Sequence, residues 1–216
     1  MIYVVNYGAG NILSITSAIK EINRSFELID SPVSYESKDV LLIPGVGNFK
    51  SASSNLIKQG FGQLKNLEPN NRPFILGICL GMQILFENSS EGGSINNGLG
   101  LLPGKVRSII SRSTDSKRLK TNIGWSNFKV HHNNLETSFR FLDNYSSHDF
   151  YYVHSYMCLP SNEKFVKACY HENELAIPSV VGCANSRVLG YQFHPEKSGI
   201  VGLNFLDKTL HHISNI

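Results

Sequence analysis

The sequence predicts an α/β fold: a mostly parallel central sheet flanked by helices, with a β-rich second half. Two observations carry that expectation. Short apolar runs alternate with amphipathic helical stretches over the first 90 residues, a pattern that calls for crossover connections and parallel strands. Later strand-like runs succeed one another without helices until a closing helical stretch near the C-terminus. No internal repeat, low-complexity segment or linker interrupts the 216 residues, so 1–216 is expected to be one domain.

Taken in order, 2–6 is a short buried strand and Gly8-Ala9-Gly10 a loop. Residues 11–22 are helical, with Ile12, Ile15 and Ile19 on one stripe. The loop reads as a strand-to-helix turn, because the longer glycine patterns of a phosphate cradle are missing. Residues 26–29 and 40–43 are the next strands. Pro44-Gly45-Val46-Gly47 ends the third, and its two glycines let backbone N–H groups approach a ligand closely. A helix is expected over 50–67. In the second half 101–110 and 123–130 read as strands, and 111–120 as a polar, basic hairpin or exposed loop. Strands at 150–153, 165–170, 179–184 and 188–193 follow, then a helix over 199–211.

The stretch 73–86 organises the rest. Phe74 to Ile78 is a nearly all-apolar run after a proline, as suits a strand buried on both faces. From Met82 the apolar positions Met82, Leu85 and Phe86 take helical spacing, which dissolves at Asn88-Ser89-Ser90. Between them Gly77-Ile78-Cys79-Leu80-Gly81 places a cysteine two residues from a glycine on either side. That is the pattern of a nucleophile elbow, a sharp strand-to-helix turn that lifts the sulfur to the edge of the sheet. A helix N-terminus there favours the thiolate, and the next backbone N–H can face an oxyanion. The alternative, a small buried hydrophobe, stays open until a base is found.

The base comes late. His194-Pro195-Glu196 follows the strand at 188–193. In extended backbone residues i and i+2 share a face, so Glu196 is expected beside the His194 imidazole, fixing its tautomer and stabilising the imidazolium. Cys79, His194 and Glu196 are therefore the candidate triad. His154, at the end of the 150–153 strand, is expected to be structural because His194 has the paired acid.

Two stretches, Gly77-Ile78-Cys79-Leu80-Gly81-Met82-Gln83 and Gly190-Tyr191-Gln192-Phe193-His194-Pro195-Glu196-Lys197-Ser198, resemble the two signatures of the class I, triad-type glutamine amidotransferases. Within them the chain is most similar to the glutaminase subunits of imidazole glycerol phosphate synthases. Asn6 to Asn11, Pro44 to Phe49 and Phe150 to Tyr156 carry that closer likeness. The resemblance spans essentially the whole chain, and it implies a flavodoxin-like sheet and hydrolysis of L-glutamine through a Cys79 thioester, with no cofactor. It implies an oxyanion loop at Val46 and Gly47, working with the Leu80 N–H; the freedom its glycines give the backbone is expected to let the hole assemble on demand. It further implies contacts to glutamine from Gly45, Gln83, Glu91, Ser155 and Tyr156, with a solvated loop carboxylate as the other reading of Glu91. The implied partner is a cyclase of (β/α)₈-barrel form, joined in a heterodimer through Asn11, Trp125, Tyr151 and Lys197. The chain departs from the family at Asn6, at Thr121-Asn122 and at Ser126, which keeps open a paralogue feeding ammonia to a sugar-modifying amidotransferase. A peptidase-like cysteine hydrolase and a catalytically silent regulatory subunit are the remaining alternatives.

Composition sets outer bounds. With 41% hydrophobic and 17% charged residues the chain can bury a full core. A net charge of +3 and no basic stripe interleaved with aromatics argue against nucleic acid. Cys79, Cys158, Cys169 and Cys183 form no C-x-x-C pair, so no metal site is expected. A cysteine reserved for chemistry favours a reducing compartment. With no apolar run of 18 residues and no leader, a cytoplasmic protein without membrane contact is expected.

Overall fold

The computed structural model describes residues 1–8, 11–109, 121–172 and 174–216. The first half runs β1 (Ile2–Val5), α1 (Ile12–Glu21), β2 (Glu27–Ile29), β3 (Val40–Ile43), α2 (Phe49–Lys58), β4 (Phe74–Ile78) and α3 (Leu80–Ile84). Next come β5 (Phe86–Ser89), β6 (Asn96–Asn97), β7 (Leu102–Ser108), β8 (Asn122–Ser126) and β9 (Lys129–Val130). The chain continues through β10 (Phe150–His154), β11 (Tyr156–Pro160), β12 (Val166–Glu172), β13 (Leu175–Cys183), β14 (Val188–Tyr191) and α4 (Gly199–Ile213).

Among the described residues eight strands form the central sheet, in the order β2-β1-β3-β4-β14-β13-β12-β9. The pairings from β2 through to β14 are parallel, and those beyond β14 are antiparallel. Strands β3 and β4 are buried throughout, which accounts for their unbroken apolar runs. Their side chains alternate between two cores. Val40, Leu42, Phe74, Leu76 and Ile78 pack with Ile15 and Ile19 of α1 and with Phe205 and Leu206 of α4. Leu41, Ile43 and Ile75 pack with Phe49 and Leu56 of α2 and with Leu80, Met82 and Ile84 of α3. The second core is closed by a small sheet, β11-β7-β5-β6. Among the described residues no helix is long and apolar enough to cross a membrane.

Several expected elements are redrawn. The 50–67 helix stops at Lys58, because Gly60 takes φ +97° and Phe61–Asn66 then winds as a 3₁₀ turn that buries Phe61 and Leu64. The helix after Cys79 is only five residues long, and Phe86 begins a strand beside β7. A short apolar run cannot by itself distinguish helix from strand, and the second sheet decides here. The 123–130 strand splits into β8 and β9, which lie in different sheets. Between them Phe128 stacks on Phe150 and Phe193, at 5.5 and 5.8 Å between centroids. Strand β11 was not anticipated, since only Ser155 separates it from β10 and no turn residue marks the break. The 101–110 strand ends at Ser108. Ala9, Gly10 and the 110–120 stretch, the expected loop and basic hairpin, lie outside the described residues.

The elbow depends on close backbone approach. A Cβ on Gly81 would overlap the carbonyl oxygen of Ile43 at the end of β3, and one on Gly77 would lie 2.7 Å from the Gly81 carbonyl carbon. Gly81→Ala is therefore expected to lower unfolding free energy by about 3 kcal/mol or more, because backbone cannot move aside as a side chain does. Gly92 also has a positive φ but open space around it, so Gly92→Ala is expected to cost only about 1 kcal/mol. Urea denaturation of both variants checks the contrast.

Candidate active site

Cys79 sits between β4 and α3 with φ 53° and ψ −107°, a conformation that L-residues rarely adopt. Two hydrogen bonds hold the strained residue in place. Its N–H donates to the Tyr191 carbonyl at 2.6 Å, and its carbonyl accepts from the Gln83 N–H at 3.2 Å. The side chain is buried but lines a cavity of about 450 Å³ at the carboxyl ends of the parallel strands. The sulfur lies 3.8 Å from the Val153 carbonyl and 3.7 Å from Gln192 Nε2. With α3 so short, the helix dipole gives the sulfur less support than a full helix would.

His194 is delivered by the turn that follows β14. Its N–H donates to the Tyr151 carbonyl at 2.9 Å, and the Ser198 hydroxyl donates to its carbonyl at 2.6 Å while accepting the Tyr151 N–H at 3.0 Å. Glu196 Oε1 lies 2.7 Å from His194 Nδ1. The pair does not arise from extended alternation, as the sequence suggested. Pro195–Lys197 is a single 3₁₀ turn, and it folds the carboxylate back onto the ring. Burial opposes charging of this imidazole, yet interaction with the Cys79 sulfur and then with Glu196 outweighs it, so the His194 pKa is raised. His194 Nε2 is buried without a conventional hydrogen-bond partner, as suits an atom kept for proton transfer.

The residues expected to form the oxyanion site meet at the same edge. Val46, Gly47 and Leu80 line the cavity, and Gly47 takes φ +122°. The Leu80 N–H is turned to the Gly45 carbonyl across a long 3.4 Å, so in this conformation that donor is weakly engaged inside the protein. Gly45 does not line the cavity. A Cβ there would lie 3.0 Å from the Leu80 Cβ, so its contribution is close packing beneath the elbow. The Tyr7 hydroxyl donates to the Pro44 carbonyl and anchors the start of the loop.

Gln83, Glu91, Ser155 and Tyr156 also line the cavity. Gln83 Nε2 donates to the Tyr156 carbonyl and to Gln192 Oε1, each at 3.2 Å. Glu91 is not simply solvated: its carboxylate accepts the Phe49 N–H at 2.7 Å, tying the first turn of α2 to the cavity rim. Ser155 Oγ lies 2.7 Å from Thr121 Oγ1. Tyr151 and Lys197 line the cavity mouth, and Tyr151 stands opposite Trp125 in the β8–β10 ladder with their rings in a T-shaped contact. Trp125 is 56% exposed. Asn11 caps α1, its side chain accepting the Ser14 N–H at 3.2 Å. Among the described residues no group of three or more His, Cys, Asp or Glu could hold a metal ion.

A family model described as glutamine amidotransferase class-I matches residues 3–212. The chain belongs to the class-I glutamine amidotransferase family. Several relatives carry the name imidazole glycerol phosphate synthase subunit HisH, two of them as follows. The protein from Geobacillus sp. (strain WCH70) is 36% identical over 207 residues, 95% of this chain and 94% of its own. That from Bacillus velezensis is 37% identical over 207 residues, 95% of this chain and 93% of its own. A crystal structure of a glutamine amidotransferase superposes over 100% of both chains, with a TM-score of 0.67 at 15% identity, a likeness of fold alone.

Two residues that touch the candidate triad, Gln192 and Ser198, were not singled out from sequence, nor was Tyr7, which anchors the loop. Gln192 left a readable signal, a polar side chain in an otherwise apolar strand end; it is completely buried. Ser198 joins the His194 carbonyl to a Tyr151 N–H 47 residues away, and Tyr7 reaches a carbonyl 37 residues away.

His154 makes no contact with the sulfur. Its Nδ1 lies 2.8 Å from the Tyr156 carbonyl and its Nε2 2.8 Å from the Tyr170 hydroxyl, so the ring is a neutral Nδ1–H tautomer locking β10 to β11 and β12. Burial, reinforced by His194 and opposed by the Tyr156 bond, lowers its pKa to about 4. The unfolded chain therefore takes up a proton near the ordinary imidazole value of 6.5, before the folded one does. Stability conferred by neutral His154 is complete above pH 6.5 and is lost as pH falls from 6.5 to about 4. Urea midpoints measured across that window should drop for the parent protein and drop less for His154→Gln.

Proposed function

We propose that this chain hydrolyses L-glutamine to glutamate and ammonia, and passes the ammonia to a cyclase partner as the glutaminase subunit of an imidazole glycerol phosphate synthase of histidine biosynthesis. The observation that carries the chemistry is the buried cysteine on a strained elbow beside a histidine that is paired at Nδ1 with a glutamate. The pathway and partner rest on the names of the relatives that match almost end to end.

The steps follow from the residues. The Cys79 thiolate attacks the side-chain amide carbon of glutamine, and the Leu80 N–H, with one from Val46 or Gly47, receives the oxyanion once the Gly45 carbonyl gives way. The His194 imidazolium, kept charged by the sulfur and Glu196, gives the Nε2 proton to the departing nitrogen, which leaves as ammonia. The neutral ring then takes a proton from water, which attacks the thioester carbon, and glutamate departs as the thiolate–imidazolium pair is restored. The partner, read as a (β/α)₈ barrel in a heterodimer, would cover the exposed apolar side chains of Leu13, Ile123, Trp125 and Ile200. Docking against Tyr151 and Lys197 at the mouth would let it free the Leu80 donor. Losing one such donor costs about 10²–10³ in rate, so the isolated chain is expected to turn over slowly.

Glutamate release from L-glutamine tests this reading, with and without the cyclase and its nucleotide ligand. Strong stimulation by the cyclase is expected. Cys79→Ala should reduce the rate to background, and Glu196→Gln should lower kcat by about 10²-fold or more, since a triad histidine without its acid loses both tautomer and charge support. Turnover indifferent to the cyclase would redirect the ammonia to another acceptor. Unaltered turnover in Cys79→Ala would overturn the reading outright.

A further inference from the structure

We propose that Gln192 is a positioning residue for the nucleophile, holding the Cys79 sulfur as thiolate through an N–H whose direction is dictated by a relay from the glutamine pocket. The proposal rests on the reading of Cys79 as the nucleophile and goes beyond it by naming what steadies the sulfur.

The relay begins at a group whose polarity is fixed. The Tyr156 carbonyl can only accept, and it takes hydrogen bonds from His154 Nδ1 and from the Gln83 side chain. The atom of Gln83 that faces it must therefore be the amide nitrogen. That same nitrogen lies 3.2 Å from the Gln192 side chain, so the Gln192 atom facing it must be the oxygen. The other end of the Gln192 amide, now necessarily the nitrogen, lies 3.7 Å from Cys79 Sγ. An amide that could turn freely would present the sulfur with a lone pair half of the time, and this one cannot turn. Its backbone is fixed as well, by an N–H that donates to the Ser179 carbonyl at 2.9 Å, and the side chain is wholly shielded from solvent.

A donor aimed at a buried sulfur favours the charged form over the neutral one. The aid adds to that of the His194 imidazolium, the charged group facing the sulfur. The other titratable neighbours, Tyr7 and Cys158, are held neutral by burial, and α3 is a single short turn that contributes little as a dipole. The relay also runs through Gln83, which lines the glutamine cavity, so the wall of the substrate site and the state of the nucleophile are mechanically joined.

The test is the pH dependence of Cys79 alkylation by iodoacetamide, which reaches the sulfur through the cavity it lines, without glutamine, in a Cys183→Ser background that removes the one partly exposed thiol. Hydrogen bonds to charged groups are strong enough that losing one should slow alkylation about tenfold at neutral pH. Gln192→Met is thus expected to raise the midpoint by about one pH unit. Gln83→Met, which touches the relay and not the sulfur, should raise it in the same direction by a smaller amount. Circular dichroism melts establish that each variant is folded, and Gln83→Met carries the test alone if Gln192→Met is not. An unmoved midpoint in the folded variants would overturn the proposal and leave Gln192 a packing residue. Because no glutamine is used, a shifted midpoint in a chain that hydrolyses no glutamine would sink the functional reading alone.

Discussion

The structure turns on how closely the elbow can be pressed against the end of β3. Gly81 lies so near the Ile43 carbonyl that no side chain fits, and Gly77 makes room for Gly81 in turn. Only with both glycines in place can the chain reverse within one residue, and that residue, Cys79, takes the strain as a positive φ. Such a conformation costs on the order of 1–3 kcal/mol and persists because its surroundings over-determine it. Here those surroundings are β14 on one side, through the Cys79 N–H to the Tyr191 carbonyl, and the two cores that clamp β4.

From that fixed point the rest of the site is assembled by elements that come from the far end of the chain. Strand β14 lies beside β4 in parallel register, with Gly190 opposite Gly77 and Tyr191 opposite Ile78, so the turn after β14 necessarily emerges next to the elbow. A Cβ on Gly190 would crowd Met82 at 2.8 Å, which shows how tightly the short helix rests on its neighbour. Strand β10 then fixes the histidine turn through Tyr151 and Ser198. The stacked rings of Phe128, Phe150 and Phe193 sit beneath as a stiff floor. The geometry of the candidate site is a consequence of sheet register.

What the sequence disclosed follows the range of each interaction. The elbow was legible because glycine, cysteine and glycine lie within five residues, and steric demand there is local. The His194–Glu196 pair was legible for the same reason, although the turn that makes it is 3₁₀ and not extended. The parallel half of the sheet was legible from the alternation of strands and helices, and the second half as β-rich, whereas its antiparallel pairing was not. The role of Gln192 was not, because its partners Cys79 and Gln83 lie 113 and 109 residues away. Nor was the hold of Glu91 on the start of α2, formed across 42 residues. Phe86 misled for a different reason: it is buried in the second core from a strand, and an apolar residue reads the same from either secondary structure.

The central claim is that the strained cysteine is the atom to which glutamine becomes attached. Rapid acid quenching of the chain in the presence of L-glutamine and the cyclase, followed by mass spectrometry of its peptides, tests that claim directly. The account predicts a glutamyl thioester on the peptide containing Cys79, lost on base treatment and absent from Cys79→Ser. A glutamyl group found on a different residue, or steady hydrolysis with no adduct under any quench, would contradict it.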